Sequence, residues 1–233
     1  MRLFSFESGK EETKMVAKAF LEDDRLTLCV EAVEDEGIAA TIREAYFQEE
    51  DGRFVKRFSG RYPECGRILC NFPRLAEDMF TNRGNTWAMA LIHFARVCQS
   101  HGIEWYLTGS GCEAVRGMPL LPHDLDIFVR SDQFYQARDL FADAIVEPFQ
   151  DLGGNWATRY FGRLCLDGEQ IDLVADERND KDRHPYIKES WNGYELFCEP
   201  VMLRLEVEKR RNRQDRIAMI EAYLSRQTGG PLR

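Results

Sequence analysis

The sequence WYLTGSGCEAVRGMPLLPHDLDIFV spans residues Trp105 to Val129 and holds the pattern that decides the fold. It begins with a short apolar run, continues through the small residues Gly109 and Ser110, and ends with two carboxylates that open a second apolar run. Small residues favour a tight turn because they place few steric limits on the backbone. The stretch therefore predicts a strand, a turn, a short helix and a second strand.

Asp124 and Asp126 flank one leucine at the start of the second apolar run. Side chains two residues apart on a strand share a face, with their Cα atoms roughly 6.6 Å apart. Two such carboxylates can bind one cation, and an all-oxygen ligand set favours Mg²⁺ or Mn²⁺ over zinc. At the turn, the Gly109 backbone and the Ser110 hydroxyl can approach a phosphate at the start of the following helix. The pattern predicts a site for a metal-bound nucleoside triphosphate.

A later hairpin carries two further carboxylates that are candidates for the same site. Residues 159–166 and 170–175 have the composition of two strands, and Asp167-Gly168 between them is a strong hairpin turn. Asp172 lies among apolar residues of the second strand, and Asp176 on the same strand face is the second candidate. An outward position on an edge strand would also explain Asp172 without any function. Three carboxylates about 5 Å apart repel by roughly 3 kcal/mol per pair at an effective dielectric near 20, so a cluster favours a bound cation.

The segment resembles the nucleotidyltransferase superfamily typified by DNA polymerase beta, whose signature is Gly-Ser, a short helix, Asp-x-Asp on the next strand and a later third carboxylate. Within it, the nearest resemblance is to the small nucleotidyltransferases that act on aminoglycosides and lincosamides. Five residues fall in the matching order, namely Gly109, Gly117, His123, Asp124 and Asp126. Ser110 replaces the second glycine of that pattern, Glu113 stands near its intermediate aspartate, and Leu120-Leu121-Pro122 replaces its Thr-Arg pair.

The resemblance implies an α/β (α+β) fold whose core is a mixed sheet flanked by helices. It also implies two-metal transfer of a nucleotidyl group, AMP from ATP, to a hydroxyl of a small molecule, with pyrophosphate as the leaving group. Asp124 and Asp126 would bind both Mg²⁺ or Mn²⁺ ions, while Asp172 would bind one of them and take the proton of the attacking hydroxyl. These three residues are the predicted catalytic and metal-binding residues, with Gly109 and Ser110 at the nucleotide.

A basic run near the end of the chain supplies candidate phosphate ligands. In nucleotidyltransferases a helix in this position often carries a basic residue near the nucleotide, and the resemblance implies this role for Lys209 or Arg213. The alternative is simple pairing along a solvated helix, such as Glu206 with Arg210.

Four alternative functions are compared with this prediction. Haloacid-dehalogenase-like phosphatases and metal-dependent glycosyltransferases place Asp-x-Asp after an apolar strand, whereas here the apolar run follows the pair. An adenylyltransferase acting on a partner protein, as in toxin–antitoxin pairs, and a non-catalytic nucleotide-binding module both remain open. A mutually repelling trio of acids favours catalysis over the non-catalytic module.

Composition indicates a globular protein rather than a nucleic-acid-binding one. The 233 residues include 44% hydrophobic and 30% charged residues and carry a formal net charge of -9, which disfavours a long nucleic-acid partner. The seven cysteines show no Cys-x-x-Cys spacing, and no apolar run approaches the roughly 20 residues of a membrane span. We therefore expect a cytoplasmic protein with reduced thiols and no membrane partner, which can form a homodimer.

The chain is expected to have three parts. Residues 1–84 form a β-rich extension of unknown role, with strands over 14–21, 25–33 and 37–47 and a helix within 73–80. Residues 85–199 form the nucleotidyltransferase core, which includes helices over 85–102 and 133–145 and a polar segment over 176–190. Residues 200–233 form a helical segment packed on that core, with helices over 201–224.

Overall fold

The structure is a computed structural model that describes residues 15–82, 84–154, 157–180 and 184–227. In chain order, its strands are β1 Val16–Glu22, β2 Arg25–Glu31, β3 Gln48–Glu50, β4 Arg53–Ser59, β5 Trp105–Leu107, β6 Leu125–Val129, β7 Ile145–Asp151, β8 Tyr160–Leu166, β9 Glu169–Ala175, β10 Ile187–Trp191 and β11 Tyr194–Cys198. The helices are α1 Glu36–Glu44, α2 Cys65–Thr81, α3 Trp87–His101, α4 Gly109–Val115, α5 Phe134–Leu140, α6 Val201–Arg210 and α7 Gln214–Gln227.

A mixed sheet forms the centre of the molecule. Its strand order is β10-β11-β5-β6-β9-β8-β7, in which β6 pairs with β9 and β11 pairs with β5 in parallel, and the other neighbours are antiparallel. Leu125, Ile127 and Val129 of β6 are buried on one face, so Asp126 lies on the opposite face of the strand. The alternation of the strand thus presents a carboxylate on the face away from these core residues.

The β8–β9 hairpin forms at the predicted turn. Asp167 and Gly168 both have positive φ, 52° and 78°, as a two-residue type I′ turn requires. Leu166 consequently pairs with Glu169, and the register continues along both strands.

A second, antiparallel sheet of order β1-β2-β4-β3 lies beside the central sheet. Helix α2 contacts β1 of this sheet and β7 of the central one, and its Phe72 and Phe80 are buried. Phe47 stacks on Phe72 with ring centroids 6.0 Å apart. Both sheets therefore contribute to one continuous apolar core.

The predicted fold class is confirmed: a mixed sheet flanked by helices, with a β-rich N-terminal part and C-terminal helices. The three-part division of the chain stays a prediction, and residues 1–14 and 228–233 of its outer parts lie outside the described residues. Among the described residues, no helix is both long and apolar enough to cross a membrane.

Several predicted elements were wrong in type or extent. Residues 37–47 were expected as a strand, but α1 forms there, because Asp35 caps it through Ile38 N–H at 2.9 Å and Ile38 and Ile42 bury one helical face. The helix predicted over 133–145 ends at Leu140, and β7 follows. This strand contains Pro148, which is tolerated because β7 is an edge strand. The polar segment 176–190 includes the start of β10.

Gly162 on β8 offers a test of core packing. A Cβ at this position would lie 2.5 Å from the Phe149 ring, so we expect Gly162→Ala to lower the free energy of unfolding by about 1–3 kcal/mol. Chemical denaturation measures this change. Gly66→Ala in α2 is the matched control, since nothing lies within 4 Å of its Cβ, and it should be neutral or stabilising. Equal stability of the two variants would contradict the packing described for β7 and β8.

Candidate active site

Three carboxylates meet where β6 and β9 run side by side. Asp126 and Asp172 are direct partners in this parallel pair, and Asp124 precedes β6 by one residue. One oxygen from each of Asp124, Asp126 and Asp172 lies within 4.8 Å of the others. The structure thus brings together the three acids that the sequence singled out, and we call them the acidic triad.

The acidic triad is electrostatically costly without a counter-charge. Burial is the larger of two effects that raise the pKa of Asp126 to about 6, and the negative charge of Asp172 is the second. Burial, and next the charges of Asp126 and Asp172, raise the pKa of Asp124 well above its ordinary value. A hard divalent cation would relieve both effects, because it replaces water as the partner of the charged oxygens.

Gly109, the first residue of α4, lies directly against the acidic triad. Its φ is 62°, and an added Cβ would overlap Oδ2 of Asp126. The Thr108 N–H donates to the carbonyl oxygen of Asp126 at 2.9 Å and fixes the turn on β6. The structure shows that this glycine makes room for the Asp126 carboxylate. The expected approach of its backbone to a phosphate stays a prediction. Ser110 follows in the first turn of α4 and is partly exposed.

Arg163 on β8 holds the third acid. Its Nε donates to Oδ1 of Asp172 at 2.6 Å and its Nη2 donates to Oδ2 at 2.9 Å, which is a bidentate pair. Its Nη1 donates to Oε1 of Glu147 on β7 at 2.7 Å. The sequence analysis missed Arg163, although a signal existed: a turn at Asp167-Gly168 makes residue 163 the partner of residue 172.

The contacts continue into the second sheet. Lys56 of β4 donates to Oε2 of Glu147 at 2.6 Å and to the carbonyl oxygen of Ala45 at 2.8 Å. Burial lowers the pKa of Lys56. Burial also opposes the charge of Arg163, but Asp172 and Glu147 raise its pKa above the ordinary value. Both cations therefore depend on their carboxylate partners.

The basic residues predicted to contact phosphate are engaged in pairs on the C-terminal helices. Lys209 lies 3.3 Å from Glu221, and Arg213 lies 3.6 Å from Glu208. The charges of Arg204 and Arg211 lower the pKa of Asp126, against the larger effects of burial and Asp172. Arg211 is exposed at the end of α6, and of these basic residues it is the one whose charge is seen to act on Asp126.

Arg204 serves a different purpose. It is buried among Glu113, Glu199 and Glu208, with Nη2 in a short contact with Oε1 of Glu208 and Nε 3.6 Å from Oε1 of Glu113. Arg216 of α7 donates to Oε2 of Glu113 at 3.1 Å. Glu113 of α4 thus docks the C-terminal helices onto the segment that carries the turn.

Two further residues considered in the sequence are not members of the acidic triad. The Asp176 carboxylate accepts from the Arg178 side chain, with Oδ2 2.6 Å from Nη2, and from the Arg159 N–H at 3.2 Å. Asp176 is therefore occupied elsewhere. His123 is exposed next to Asp124.

No protein-family model matches the chain, and no curated protein matches it. Solved structures that are similar in fold include the following three. The first, from Thermotoga maritima and described as a nucleotidyltransferase, shares 15% identity over 61% of this chain and 94% of its own, with a TM-score of 0.48. ANT(2'')-Ia in complex with adenylyl-2''-tobramycin shares 8% sequence identity over 59% of this chain and 90% of its own, with a TM-score of 0.43. An antigenic nucleotidyltransferase-like protein from Paracoccidioides brasiliensis shares 12% sequence identity over 60% of this chain and 76% of its own, with a TM-score of 0.39. Because all three TM-scores lie below 0.5, these similarities do not assign a function to the chain.

The raised pKa of Asp126 predicts how metal-free stability changes with pH. An acid whose folded pKa lies above the unfolded value favours folding at low pH, and this contribution is lost as pH rises from about 4 to about 6. We therefore expect Asp126→Asn to raise the free energy of unfolding by about 1–3 kcal/mol at pH 7.5, and by little at pH 4.

Urea denaturation at both pH values, in the presence of a chelator, measures the effect. Glu77→Gln on the exposed face of α2 is the control and should change little at either pH. A gain of the same size at pH 4 and pH 7.5 would show that the Asp126 carboxyl does not titrate in this range.

Proposed function

We propose that the chain is a metal-dependent nucleotidyltransferase that transfers AMP from ATP to a hydroxyl of a small molecule. The observation that carries this proposal is the acidic triad, in which Asp124, Asp126 and Asp172 place oxygens within 4.8 Å of one another on the face away from the β6 core residues. Repelling carboxylates with raised pKa values destabilise the free protein, and a divalent cation removes that cost.

The donor set fits Mg²⁺ or Mn²⁺. All three ligands are carboxylates, and these hard oxygens suit such ions better than zinc. Bound here, divalent ions neutralise the charge of the triphosphate and polarise the α-phosphate for in-line attack. Asp124 and Asp126 would hold both ions, and Asp172 would hold the one on the acceptor side.

The protein groups then divide the remaining work. Asp172 accepts the proton of the acceptor hydroxyl, whose oxygen forms the new bond to the α-phosphorus while the bond to the β-phosphate oxygen breaks and pyrophosphate leaves. The turn at Gly109 and Ser110 faces the triphosphate with backbone N–H groups. Arg211 supplies a positive charge to the phosphates, and Lys209 and Arg213 flank it in the same basic run.

A transfer assay tests the proposal. The protein is incubated with α-labelled nucleoside triphosphates, Mg²⁺, and either a panel of aminoglycosides and lincosamides or a cell lysate. We expect labelled acceptor and released pyrophosphate, and we expect Asp124→Asn or Asp126→Asn to lower the rate by at least about 10²-fold while the fold persists, because each removes a charged group that stabilises the reacting phosphates.

Asp167→Asn in the hairpin turn is the control, since asparagine tolerates its left-handed backbone. Label on a lysate protein instead of a small molecule would indicate a protein acceptor. Transfer that survives Asp124→Asn and Asp126→Asn would refute the roles given to these residues.

Gly109→Ala separates the space needed by Asp126 from ordinary backbone strain. Both Gly109 and Gly117 have positive φ, so alanine strains either site by about 1 kcal/mol. Only at Gly109 does the new Cβ overlap the Asp126 carboxylate, whereas nothing lies within 4 Å at Gly117. We expect Gly109→Ala to lose Mn²⁺ and ATP affinity by at least about tenfold in calorimetry, and Gly117→Ala to retain both. Similar affinities in the two variants would contradict the close approach.

A further inference from the structure

Charged side chains cross four strands of the central sheet in register. Asp126 of β6 pairs with Asp172 of β9, Asp172 pairs with Arg163 of β8, and Arg163 pairs with Glu147 of β7. Lys56 of β4 extends this line from the second sheet through its 2.6 Å contact with Glu147. We call these five residues the charge row.

The inner members of the charge row have little access to water. The side chains of Arg163 and Glu147 are each 1% exposed, that of Asp172 is 12% exposed and that of Lys56 is 14% exposed. Charges in such surroundings must be satisfied by one another, since solvent screens them weakly. Removing the charge of one member therefore changes the electrostatic environment of the next member in the row.

Arg163 is shared between two carboxylates. Its Nε and Nη2 hold Asp172, and its Nη1 holds Glu147. The Glu147 carboxylate is shared in turn, because its other oxygen accepts from Lys56. The negative charge that Asp172 presents to the acidic triad therefore depends on how far Glu147 neutralises Arg163. The charge of Glu147 available to Arg163 depends in turn on Lys56.

We propose that Arg163 is a positioning residue for Asp172 and that Glu147 and Lys56 tune, from a distance, the affinity of the acidic triad for a divalent cation. The inference rests on the proposed function. It gives the second sheet a role in the site, because Lys56 belongs to β4 and the carbonyl oxygen of Ala45 accepts from both Lys56 and Arg163.

The charge row predicts opposite effects for two substitutions that remove neighbouring charges. Glu147→Gln keeps the shape and removes a negative charge, so Arg163 neutralises Asp172 more fully and Mn²⁺ binding weakens, by about tenfold. Lys56→Met removes a positive charge, so Glu147 neutralises Arg163 more fully and Mn²⁺ binding strengthens, by about threefold to tenfold. A purely structural role would weaken binding in both variants.

Mn²⁺ titration of the full chain at pH 7 and low salt, by calorimetry and by electron paramagnetic resonance of free Mn²⁺, measures both affinities. In the double variant Lys56→Met with Glu147→Gln, Lys56 can no longer act through the Glu147 carboxylate, so the Mn²⁺ affinity is expected within about twofold of that of Glu147→Gln alone. Thermal melting of each variant establishes that it is folded. Shifts of the same sign in the two single variants, or no shift in either, would overturn the inference.

Arg163→Lys is an independent test of the positioning of Asp172 by Arg163, and it is available if a charge-removing variant fails to fold. Lysine keeps the charge but lacks the planar fork that grips both oxygens of Asp172. We expect the transfer rate constant kcat to fall by about tenfold with a small change in KM for ATP. An unchanged kcat would mean that the orientation of Asp172 does not depend on Arg163.

Asp126→Asn distinguishes failure of this inference from failure of the proposed function. If Asp126→Asn leaves Mn²⁺ affinity intact, the acidic triad is not the metal site and the proposed function is refuted. If Asp126→Asn weakens Mn²⁺ binding but the charge-row variants behave alike, the proposed function stands and the tuning by Glu147 and Lys56 is refuted.

Discussion

The repulsion between two carboxylates on adjacent parallel strands is the constraint on which the rest of the site depends. Asp126 and Asp172 are direct partners across β6 and β9, and each contributes to a group that also includes Asp124. Hydrophobic side chains in these positions would pack without this cost. The raised pKa values of Asp124 and Asp126 reflect burial as the larger cause and this repulsion as the second. An arrangement that destabilises the free protein is typical of a site that binds a ligand of opposite charge.

The surrounding structure confines this repulsion to one place. Arg163 takes up the charge of Asp172 on one side, and Glu147 and Lys56 carry the compensation into the second sheet. On the other side, Gly109 lets the Asp126 carboxylate lie against the start of α4. Glu113 and Arg216 fasten the C-terminal helices to α4, and the charge of Arg211 at the end of α6 acts on Asp126. Residues of both sheets, of α4 and of the C-terminal helices thus surround the three carboxylates of the acidic triad.

Local patterns predicted the centre of this arrangement from the sequence. The alternation around Asp124 and Asp126, the glycine turn and the Asp167-Gly168 hairpin all depend on short-range steric rules, and they hold in the structure. The pairing of β6 with β9, which brings Asp172 to the other acids, was expected only through a family resemblance, because distant strands leave no local signal.

Features set by long-range packing were missed. Lys56 and Glu147 are far apart in sequence, and neither forms part of a motif, so their contact follows only from the docking of the two sheets. Arg211 was not singled out in the sequence because it stands in a run of similar basic residues, and only the effect of its charge on Asp126 distinguishes it in the structure. Helix α1 was mistaken for a strand because β-branched residues outweighed its capping aspartate and its helical spacing.

The most direct test of the central claim is the position of a bound ion. In a crystal soaked with Mn²⁺ and a non-hydrolysable ATP analogue, anomalous scattering would locate the metal without assumptions about the acceptor. The structure predicts a peak about 2.1 Å from carboxylate oxygens of Asp124 and Asp126, with the triphosphate beside Gly109. Mn²⁺ bound only elsewhere, with the triad oxygens unligated at pH 7, would contradict the account.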